Sequence, residues 1–243
     1  MLLAVDIGNT KIKAAVFEET ALLVRFSFSP DEAAEKLEEI FYSYPSVSHS
    51  VLSVVGKEQH SLLSVLKERT VVTEINRDIA FPFTNKYATP HTLGIDRMVL
   101  AAGAVLQHPG HNLLVIDAGT CITYDFITAA GEYLGGAISP GLQLRYNAMH
   151  TFTAKLPLLY PEMPESYVGD STNASLHAGA VYGLLFEIDG FIGAYKEQYQ
   201  QLTVILTGGD ADFLAKRLKS TIFANSNFLL ESLNKLYIYK NHK

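Results

Sequence analysis

The sequence predicts an α/β fold built from two similar halves. The nine residues that begin at Leu2, LLAVDIGNT, return in similar form as LLVIDAGTC from Leu113, an offset of 113 − 2 = 111 positions. Each copy is an apolar run that ends in an acid, followed by a small residue and then glycine. A continuous apolar run is typical of a strand that is covered on both faces. We therefore expect two buried strands, each with an acid where the strand emerges.

The segments after the first copy predict the elements of the first half, residues 1–111. Polar and apolar residues begin to alternate there, as in an antiparallel strand. Ser29-Pro30 is typical of a helix start, with Ser29 as N-cap and Glu32 completing a capping box. The elements that we predict are strands at 11–17, 21–28, 51–55 and 71–73, helices from Ser29, over 58–68 and from Gly94 to about His108, and a loop over 81–92.

The second half, residues 112–243, repeats the three-strand opening of the first. The elements that we predict are strands at 113–117, 122–127, 133–138 and 204–207, and helices at 141–149, at about 174–195, from Ala211 and at 227–237. The long helix carries small residues at Ala178, Gly179, Gly183 and Gly190. Small side chains let another helix, from this chain or from a partner, approach closely. Both sheets are expected to be mixed and flanked by helices.

Composition excludes several classes of protein. Of the 243 residues, 48% are hydrophobic and 18% are charged, which argues against extensive disorder. The formal net charge of −6 argues against nucleic acid or an anionic membrane as a partner. Asp6 interrupts the first apolar run too early for a signal peptide or a membrane span. Cys121 has no second cysteine to pair with, so we expect it reduced and partly buried, in a cytoplasmic protein.

The two strand tips are candidate parts of a functional site. Glycine next but one to each acid permits a close backbone approach that a Cβ would block. If the tips face each other, their two carboxylates and small polar groups line a crevice suited to a nucleotide and a metal ion. An ordinary hairpin turn uses the same residue types, Gly8-Asn9 among them, so either copy alone leaves both interpretations open. The repetition favours function.

Five motifs give this chain a family resemblance: Asp6-Ile7-Gly8-Asn9-Thr10, Gly94-Ile95-Asp96-Arg97, Asp117-Ala118-Gly119-Thr120, Gly135-Gly136-Ala137-Ile138-Ser139-Pro140-Gly141 and Thr207-Gly208-Gly209. Together they resemble the superfamily of actin, sugar kinases and acetate kinase, whose duplicated fold is ribonuclease H-like. Within it the chain is most similar to the type III pantothenate kinases. The second motif distinguishes this family, since acid-Gly turns and Gly-Gly turns occur throughout the superfamily. The resemblance covers nearly the whole chain. It implies two actin-like halves, here 1–111 and 112–243.

The resemblance also implies a function. It is the ATP-dependent phosphorylation of pantothenate to 4′-phosphopantothenate, the first step of coenzyme A biosynthesis, by a cytoplasmic homodimer that uses Mg²⁺ with ATP and a monovalent cation, K⁺ or NH₄⁺. Two rivals stay open: a related kinase for another small hydroxylated acid or sugar, and a non-catalytic nucleotide-binding regulator on the same fold. The combination of Asp6, Asp96 and Asp117 argues against the regulator, because a protein that only binds needs no base for an acceptor.

For the nucleotide, the resemblance assigns a loop and one residue of the second half to ATP: Asp6, Ile7, Gly8, Asn9, Thr10, Lys11, Ile12, Lys13 and Thr120. Asp6 is suited to hold Mg²⁺, which binds few carboxylates and keeps waters. Asp117 resembles the family's ligand for the monovalent cation, although a buried turn aspartate is an equal alternative. From the residues alone, Lys13 is better explained as a solvated strand residue. Gly208 and Gly209 would pass close to the nucleotide or form the strand-to-helix turn.

For the acceptor, the resemblance assigns Tyr87, Gly94, Ile95, Asp96, Arg97 and Thr172 to pantothenate, Thr172 often across a dimer interface. Asp96 is our choice of general base: it falls in the first turn of a helix, where backbone N–H groups and the helix dipole favour an ionised carboxylate. Without the resemblance, a simple helix-start aspartate would be favoured. Arg97 has the fork geometry that matches a substrate carboxylate. Thr172 could equally be a helix N-cap.

Three residues depart from the family pattern. Ala15 stands where glycine is frequent, Cys121 replaces a small residue without a thiol, and Ser171 stands where asparagine is more common. Ser171 directly precedes Thr172, so this departure affects the details expected of the segment that covers the substrate in the family. None of the three removes a charged group that phosphoryl transfer requires.

Overall fold

The computed structural model describes residues 1–8, 11–54 and 60–241. The chain divides into two compact units, Met1–Pro109 with Asn227–Lys243, and Gly110–Ser226. This division lies close to the predicted boundary between 111 and 112, but the C-terminal segment belongs to the first unit, whereas the predicted ranges had included it in the second half. Its helix packs on the first unit's helix that starts at Ile95.

Each unit begins with three consecutive strands and contains both strands and helices. The strands are β1 (Leu2–Ile7), β2 (Ile12–Glu18), β3 (Ala21–Phe28), β4 (His49–Val54), β5 (Val71–Glu74), β6 (Thr84–Asn85), β7 (Asn112–Ala118), β8 (Cys121–Ile127), β9 (Glu132–Pro140), β10 (Leu202–Thr207) and β11 (Phe223–Ala224). The helices are α1 (Ala33–Ser43), α2 (His60–Arg69), α3 (Ile95–Gln107), α4 (Leu142–Thr151), α5 (Thr172–His177), α6 (Gly183–Gln198), α7 (Ala211–Ala215) and α8 (Phe228–Asn241).

The two units repeat one sheet topology. In the first unit the strand order is β3-β2-β1-β4-β5, and in the second unit β9-β8-β7-β10-β11 follows the same order. In each, the first three strands are antiparallel, and the central strand pairs in parallel with the strand on its other side, β1 with β4 and β7 with β10. The predicted α/β fold with two similar halves and mixed sheets is confirmed.

The continuous apolar runs form the central strands, as predicted. All six residues of β1 are buried, and β7 is buried from Leu113 to Ile116. One face of the β1 sheet packs against α1, with Leu37 and Ile40 in its core, and one face of the β7 sheet packs against α6, with Leu184 and Ile188 in its core. Burial of this kind contributes about 25 cal/mol per Å² of apolar surface, so it supplies most of the stabilisation of each unit.

Local signals position several helix starts. The Glu32 carboxylate accepts hydrogen bonds from the Ser29 backbone N–H at 2.9 Å and from the Ser29 hydroxyl at 2.6 Å. A single 3₁₀ turn, Pro30–Glu32, then leads into α1.

The predicted loop over 81–92 contains the short strand β6 and a 3₁₀ turn at Pro90–Thr92.

The predicted long helix is observed as α5, a π-helical segment at Ala178–Tyr182, and α6. The predicted ends at Val55 and Glu58, of one strand and one helix, lie outside the described residues. In the part of the chain that the structure describes, no helix combines the length and the apolar character that crossing a membrane requires.

Candidate active site

The first strand tip holds a buried carboxylate. Asp6 lies near the end of β1 and is only 7% exposed. Its neighbour in the parallel pairing with β4 is Ser53, whose hydroxyl donates a 2.8 Å hydrogen bond to Asp6 Oδ1. Ser53 is itself buried. We call Asp6, Lys13, Ser53 and Asp96 the first corner.

Lys13 is the residue directly opposite Asp6 in the antiparallel pairing of β1 with β2. Directly opposed residues of an antiparallel pair point to the same face of the sheet. Lys13 is half-buried, and its positive charge acts on the Asp6 carboxylate. Lys13 is thus a partly exposed strand residue, as the residues alone favoured, and the register also brings its positive charge to the acid.

β1 and β2 form a β-hairpin, and the Gly8-Asn9 turn of the alternative interpretation lies partly outside the described residues. Ile7 pairs with Ile12, and the Gly8 backbone N–H donates to the Lys11 carbonyl at 3.2 Å. Asn9 and Thr10, both predicted to bind ATP, lie outside the described residues. The Ile7 and Ile12 side chains are buried in the core. Any contact from these two isoleucines to a nucleotide would come from backbone atoms, whereas Lys11 is exposed.

Burial raises the pKa of Asp6 from 3.8 to about 6. The hydrogen bond from Ser53 and the charge of Lys13 lower the pKa, and the negative charge of Asp96 raises it. Desolvation is the largest of these causes, since a buried carboxylate loses the water that stabilises its charge. The effect of Asp96 means that the two predicted acids lie within electrostatic reach of each other.

Asp96 lies in the first turn of α3, as predicted. Gly94 is the N-cap, and the Asp96 carboxylate accepts the Arg97 backbone N–H at 2.9 Å. A Cβ built on Gly94 would lie 2.3 Å from Asp96 Oδ1. Gly94 therefore leaves room for the carboxylate at the tip of the helix, which is a reason for glycine there that the sequence did not reveal.

Arg97 and Tyr87, both predicted to contact the acceptor, lie together. The Arg97 guanidinium carbon is 5.9 Å from the centre of the Tyr87 ring, and Arg97 is only 6% exposed. A guanidinium over an aromatic face is attracted by the ring's quadrupole. Two residues that the sequence analysis missed support this region. Asn85 Oδ1 accepts the Tyr87 backbone N–H at 2.9 Å, and Arg77 Nη2 donates to the Leu93 carbonyl at 2.8 Å, next to the N-cap of α3.

The second strand tip, at Asp117, differs in its surroundings. Asp117 is half-buried, and its neighbours in the sheet are Thr123 on β8 and Thr207 on β10. Gly208 has φ +98°, and a Cβ there would lie 2.4 Å from Asp117 Oδ1 and 2.3 Å from the Ala118 carbonyl oxygen. Glycine at position 208 therefore lets the backbone pass close to Asp117 and Ala118, where a Cβ would clash. We call Asp117, Thr120, Thr123, Thr207 and Gly208 the second corner.

The loop that carries Thr120 is held by glycine backbone. The Gly141 N–H donates to the Thr120 carbonyl at 3.0 Å, and the Gly119 N–H donates to the Cys121 carbonyl at 3.0 Å. A Cβ on Gly141 would lie 2.0 Å from the Gly119 carbonyl oxygen. Thr120 itself is exposed. Cys121 is also exposed, not partly buried as expected, because β8 begins there and its side chain lies outside the core.

Thr172 is the first residue of α5, and the N-cap is Ser171, whose hydroxyl accepts the Ala174 N–H at 3.3 Å. The N-cap alternative for Thr172 is therefore wrong by one residue. Thr172 is exposed and lines a cavity of 620 Å³ with Met149, Leu156 and Asp170 among its walls.

The sequence model of one family, the type III pantothenate kinases, matches residues 2–194 of the chain. The chain belongs to this family. Curated relatives named type III pantothenate kinase include one from Flavobacterium johnsoniae, 58% identical over 99% of this chain and 98% of its own length. Another, from Bacteroides fragilis, is 39% identical over 99% of each chain. The protein is thus a member of a family of kinases.

Solved structures show the same fold. A Campylobacter jejuni protein described as of the Baf family of transcriptional activators superposes with a TM-score of 0.65 at 20% identity, covering 99% of this chain and 100% of its own. A ROK family glucokinase from Streptomyces griseus, in complex with glucose and AMPPNP, gives a TM-score of 0.52 at 13% identity, covering 100% of this chain and 99% of its own. At these identities the likeness establishes the actin-like sugar kinase fold and nothing about substrates.

Proposed function

We propose that this type III pantothenate kinase family member transfers the γ-phosphoryl group of ATP to the primary hydroxyl of pantothenate. The products are ADP and 4′-phosphopantothenate, at the first step towards coenzyme A. The observation that carries the proposal is the first corner: a buried acid, a cross-strand lysine and a helix-tip acid interact electrostatically within one unit. Phosphoryl transfer needs charge neutralisation, positioning of the acceptor and a group that takes its proton.

Asp6 is the residue that would hold Mg²⁺. Its carboxylate supplies the hard oxygen ligands that this ion prefers, and burial makes its ionised form costly without a nearby cation. When bound, Mg²⁺ neutralises charge on the phosphate oxygens of ATP. Lys13, on the same face of the sheet as Asp6, and the backbone of Gly8 and Lys11 would contact the phosphates, and Asn9 and Thr10 remain part of the proposed loop.

Asp96 is the proposed general base. As the acceptor oxygen forms its bond to the γ-phosphorus, the bond from that phosphorus to the ADP oxygen breaks, and the hydroxyl proton passes to the Asp96 carboxylate. Gly94 leaves the space that this carboxylate occupies, and the Arg97 N–H donates to one of its oxygens. A carboxylate with one oxygen so fixed keeps its other oxygen for a hydroxyl proton, and Ile95 and Gly94 form the start of the helix beside it.

Arg97 is proposed to bind the pantothenate carboxylate. Its guanidinium is a planar fork that matches a carboxylate, and the ring of Tyr87 fixes the orientation of that plane. Because Arg97 is buried, a carboxylate that reaches it would be desolvated and strongly attracted. This interaction would favour pantothenate over sugars, which lack a carboxylate.

At the second corner, Asp117 is the proposed ligand of a monovalent cation, K⁺ or NH₄⁺, and Thr120 the proposed contact to ATP. Carboxylate and hydroxyl oxygens are the ligands that hard cations prefer. Gly208, packed against Asp117 Oδ1, leaves this carboxylate little freedom to turn. Such a cation would offset part of the phosphate charge.

A homodimer is proposed through the face of the helix from Ala178 onward. Among the residues that the structure describes, a Cβ on Gly179, Gly183, Gly190 or Gly193 would meet nothing within 4 Å, so the described part of the chain leaves this face uncovered. Phe186, at 53% exposure, lies among these glycines in sequence. Tyr167, whose ring contacts that of Phe186, is exposed, and so is the next residue, Val168. A second copy could cover this surface and bring Thr172 to the partner's acceptor. Light scattering should then give about twice the 26.7 kDa chain mass.

The proposed partners are ATP, pantothenate and a second copy of the chain, with no nucleic acid and no membrane, in the cytoplasm, where ATP is made and used. The decisive assay is pantothenate-dependent release of ADP, measured with Mg²⁺ and with or without K⁺ or NH₄⁺. We expect turnover with pantothenate and none with a panel of sugars. Turnover of a sugar but not of pantothenate would replace the proposal with the related kinase. Nucleotide binding without any turnover would replace it with the regulator.

A further inference from the structure

A largely buried ion pair lies outside all the residues assigned so far. Arg145 of α4 and Glu187 of α6 form a hydrogen-bonded salt bridge, and their side chains are 21% and 24% exposed. Glu187 Oε1 also accepts the Tyr124 hydroxyl at 2.9 Å, from strand β8. Burial by itself would raise the pKa of Glu187, but hydrogen bonds from Arg145, Ser139 and Tyr124 outweigh it and lower the pKa. The pair is therefore held ionised by several elements at once.

Arg145 extends this network to the end of strand β9. Its Nε donates to the Pro140 carbonyl at 3.0 Å, and its Nη2 donates to the Ser139 hydroxyl at 3.1 Å. Ser139 and Pro140 are the last two residues of β9 and precede the N-cap of α4, Gly141. One guanidinium thus fixes the junction between strand and helix. A guanidinium carries five N–H donors spread over three nitrogens in one plane, so it can bind a carboxylate, a hydroxyl and a carbonyl at separate positions, whereas the three donors of a lysine share one nitrogen.

That junction is in direct contact with the loop of the second corner. Pro140 pairs with Cys121 across the β8–β9 ladder, and the Gly141 N–H donates to the Thr120 carbonyl. A Cβ built on Gly141 would lie 2.0 Å from the Gly119 carbonyl oxygen, so the backbones at Gly141 and Gly119 are in contact. A small displacement of residues 139–141 would therefore displace Gly119 and Thr120.

We propose that Arg145 and Glu187 are positioning residues that set the nucleotide affinity of the loop carrying Thr120. They act through Ser139, Pro140 and Gly141 and touch neither substrate. This inference rests on the proposed function, in which Thr120 contacts ATP. It goes further by naming the support that holds the loop in its binding geometry, since sites loosened by about 1 Å lose much of their function.

The test uses Arg145→Lys and Glu187→Gln in the full-length protein. Lysine keeps the positive charge but cannot bind Glu187, Ser139 and the Pro140 carbonyl together, and glutamine keeps the shape but removes the negative charge. Losing charge-assisted hydrogen bonds should raise the KM for ATP about tenfold, with the KM for pantothenate within about twofold of the wild type. Calorimetry with Mg²⁺ and a non-hydrolysable ATP analogue should show a matching rise in Kd.

Matched controls are Glu197→Gln, an exposed residue of the same helix as Glu187, and Arg217→Lys, an exposed arginine of the same unit. Both should keep wild-type constants. A purely structural role predicts a lower Tm with both KM values unchanged, or an equal loss for both substrates, and either result would overturn the inference.

The wild-type enzyme separates the two hypotheses. If it binds the ATP analogue but does not phosphorylate pantothenate, the proposed function fails, and the Kd values of the variants still decide the positioning role. If the wild type binds no nucleotide, the positioning role fails as well.

Discussion

The two strand tips have the same framework but different surroundings. Asp6 and Asp117 occupy equivalent places in two sheets of the same order, each between an antiparallel and a parallel neighbour. Asp6 has Lys13 and Ser53 beside it and is buried, whereas Asp117 has Thr123 and Thr207 and is half-buried. Duplication therefore fixed the position of the acid, and its neighbours determine what the acid can do.

Charge is the difference with the largest consequence. The first corner combines two acids and a lysine, so its carboxylates influence each other and burial raises the pKa of Asp6 to about 6. The second corner has one acid, hydroxyl groups and a glycine packed against the acid. We infer a division of labour in which the first corner serves the reacting phosphate and its acceptor, and the second a bound cation and nucleotide.

The largest expected effect is at the first corner. Asp96→Asn should lower kcat by ~10²–10⁴-fold, because the proposed general base is lost while the shape of the side chain is kept. The Kd for Mg²⁺ and an ATP analogue should change little. Steady-state kinetics with calorimetry would measure both, and Asp78→Asn, at an exposed turn position of the same unit, is the control. Unchanged turnover would remove Asp96 from the reaction.

The pH dependence of stability should reveal the buried charge of Asp6. The pKa of Asp6 is raised in the folded state, from 3.8 to about 6, so the folded protein binds more protons than the unfolded chain between these values. This contribution to stability is complete below about pH 4 and lost as the pH rises through 6. A shift of about two pKa units corresponds to ~3 kcal/mol.

We therefore expect Asp6→Asn, without ligand, to gain stability relative to the wild type as the pH rises from 4 to 7, by up to ~3 kcal/mol. Chemical denaturation at a series of pH values would measure this difference. A difference between wild type and Asp6→Asn that does not vary with pH would refute the assignment of this buried charge.

Arg97→Lys should reduce kcat/KM for pantothenate by ~10–100-fold, because a lysine cannot bind a carboxylate with two parallel hydrogen bonds or stack on Tyr87. The effect should appear mainly in the KM for pantothenate, with the KM for ATP unchanged. Arg77→Lys is the matched comparison, since Arg77 also supports the start of α3 but binds a backbone carbonyl. Equal losses for both substrates would point to a structural role for Arg97.

The smallest expected effect concerns the neighbour of Asp6. Ser53→Ala removes the hydroxyl that donates to Asp6 Oδ1, so it should destabilise the protein by ~1–3 kcal/mol above pH 6 and by less below pH 5, where a protonated Asp6 needs this donor less. Ser50→Ala is the control, because it also removes a buried hydroxyl of β4 and its partly buried hydrogen bond with Thr70. The Ser50 variant should lose stability equally at both pH values. If Ser53→Ala behaves in the same way, its bond to Asp6 has no electrostatic role.

The sequence predicted the fold from local and repeated patterns. Apolar runs and the start of α3 at Gly94 are local patterns, because each depends on residues that are close in sequence. The repeat is found by comparing two segments 111 positions apart. All three are therefore evident in the amino-acid sequence alone. The C-terminal helix was expected in the second half because nothing in its own residues records that it packs on α3. Packing between distant segments has no local signal.

Parts of the site were missed for the same reason. Ser53 and the Arg145–Glu187 pair were missed, whereas the resemblance did assign Lys13 to the site. Its place beside Asp6 could also have been found from the residues, because a hairpin that pairs Ile7 with Ile12 brings residue 13 opposite residue 6. Ser53 depends on the parallel pairing of β1 with β4, from which it is separated in sequence by two strands and a helix, and no short motif specifies this pairing. The Arg145–Glu187 pair joins two helices distant in sequence and carries no motif at all.

The division of labour between the corners is tested most directly by comparing Asp6→Asn and Asp117→Asn side by side, measuring turnover of pantothenate over a range of K⁺ and Mg²⁺ concentrations. We expect Asp117→Asn to raise the K⁺ concentration needed for activity while its response to Mg²⁺ stays as in the wild type. We expect Asp6→Asn to lose turnover that added K⁺ does not restore. The reverse pattern, with K⁺ dependence altered by Asp6→Asn and Mg²⁺ dependence by Asp117→Asn, would contradict this division of labour.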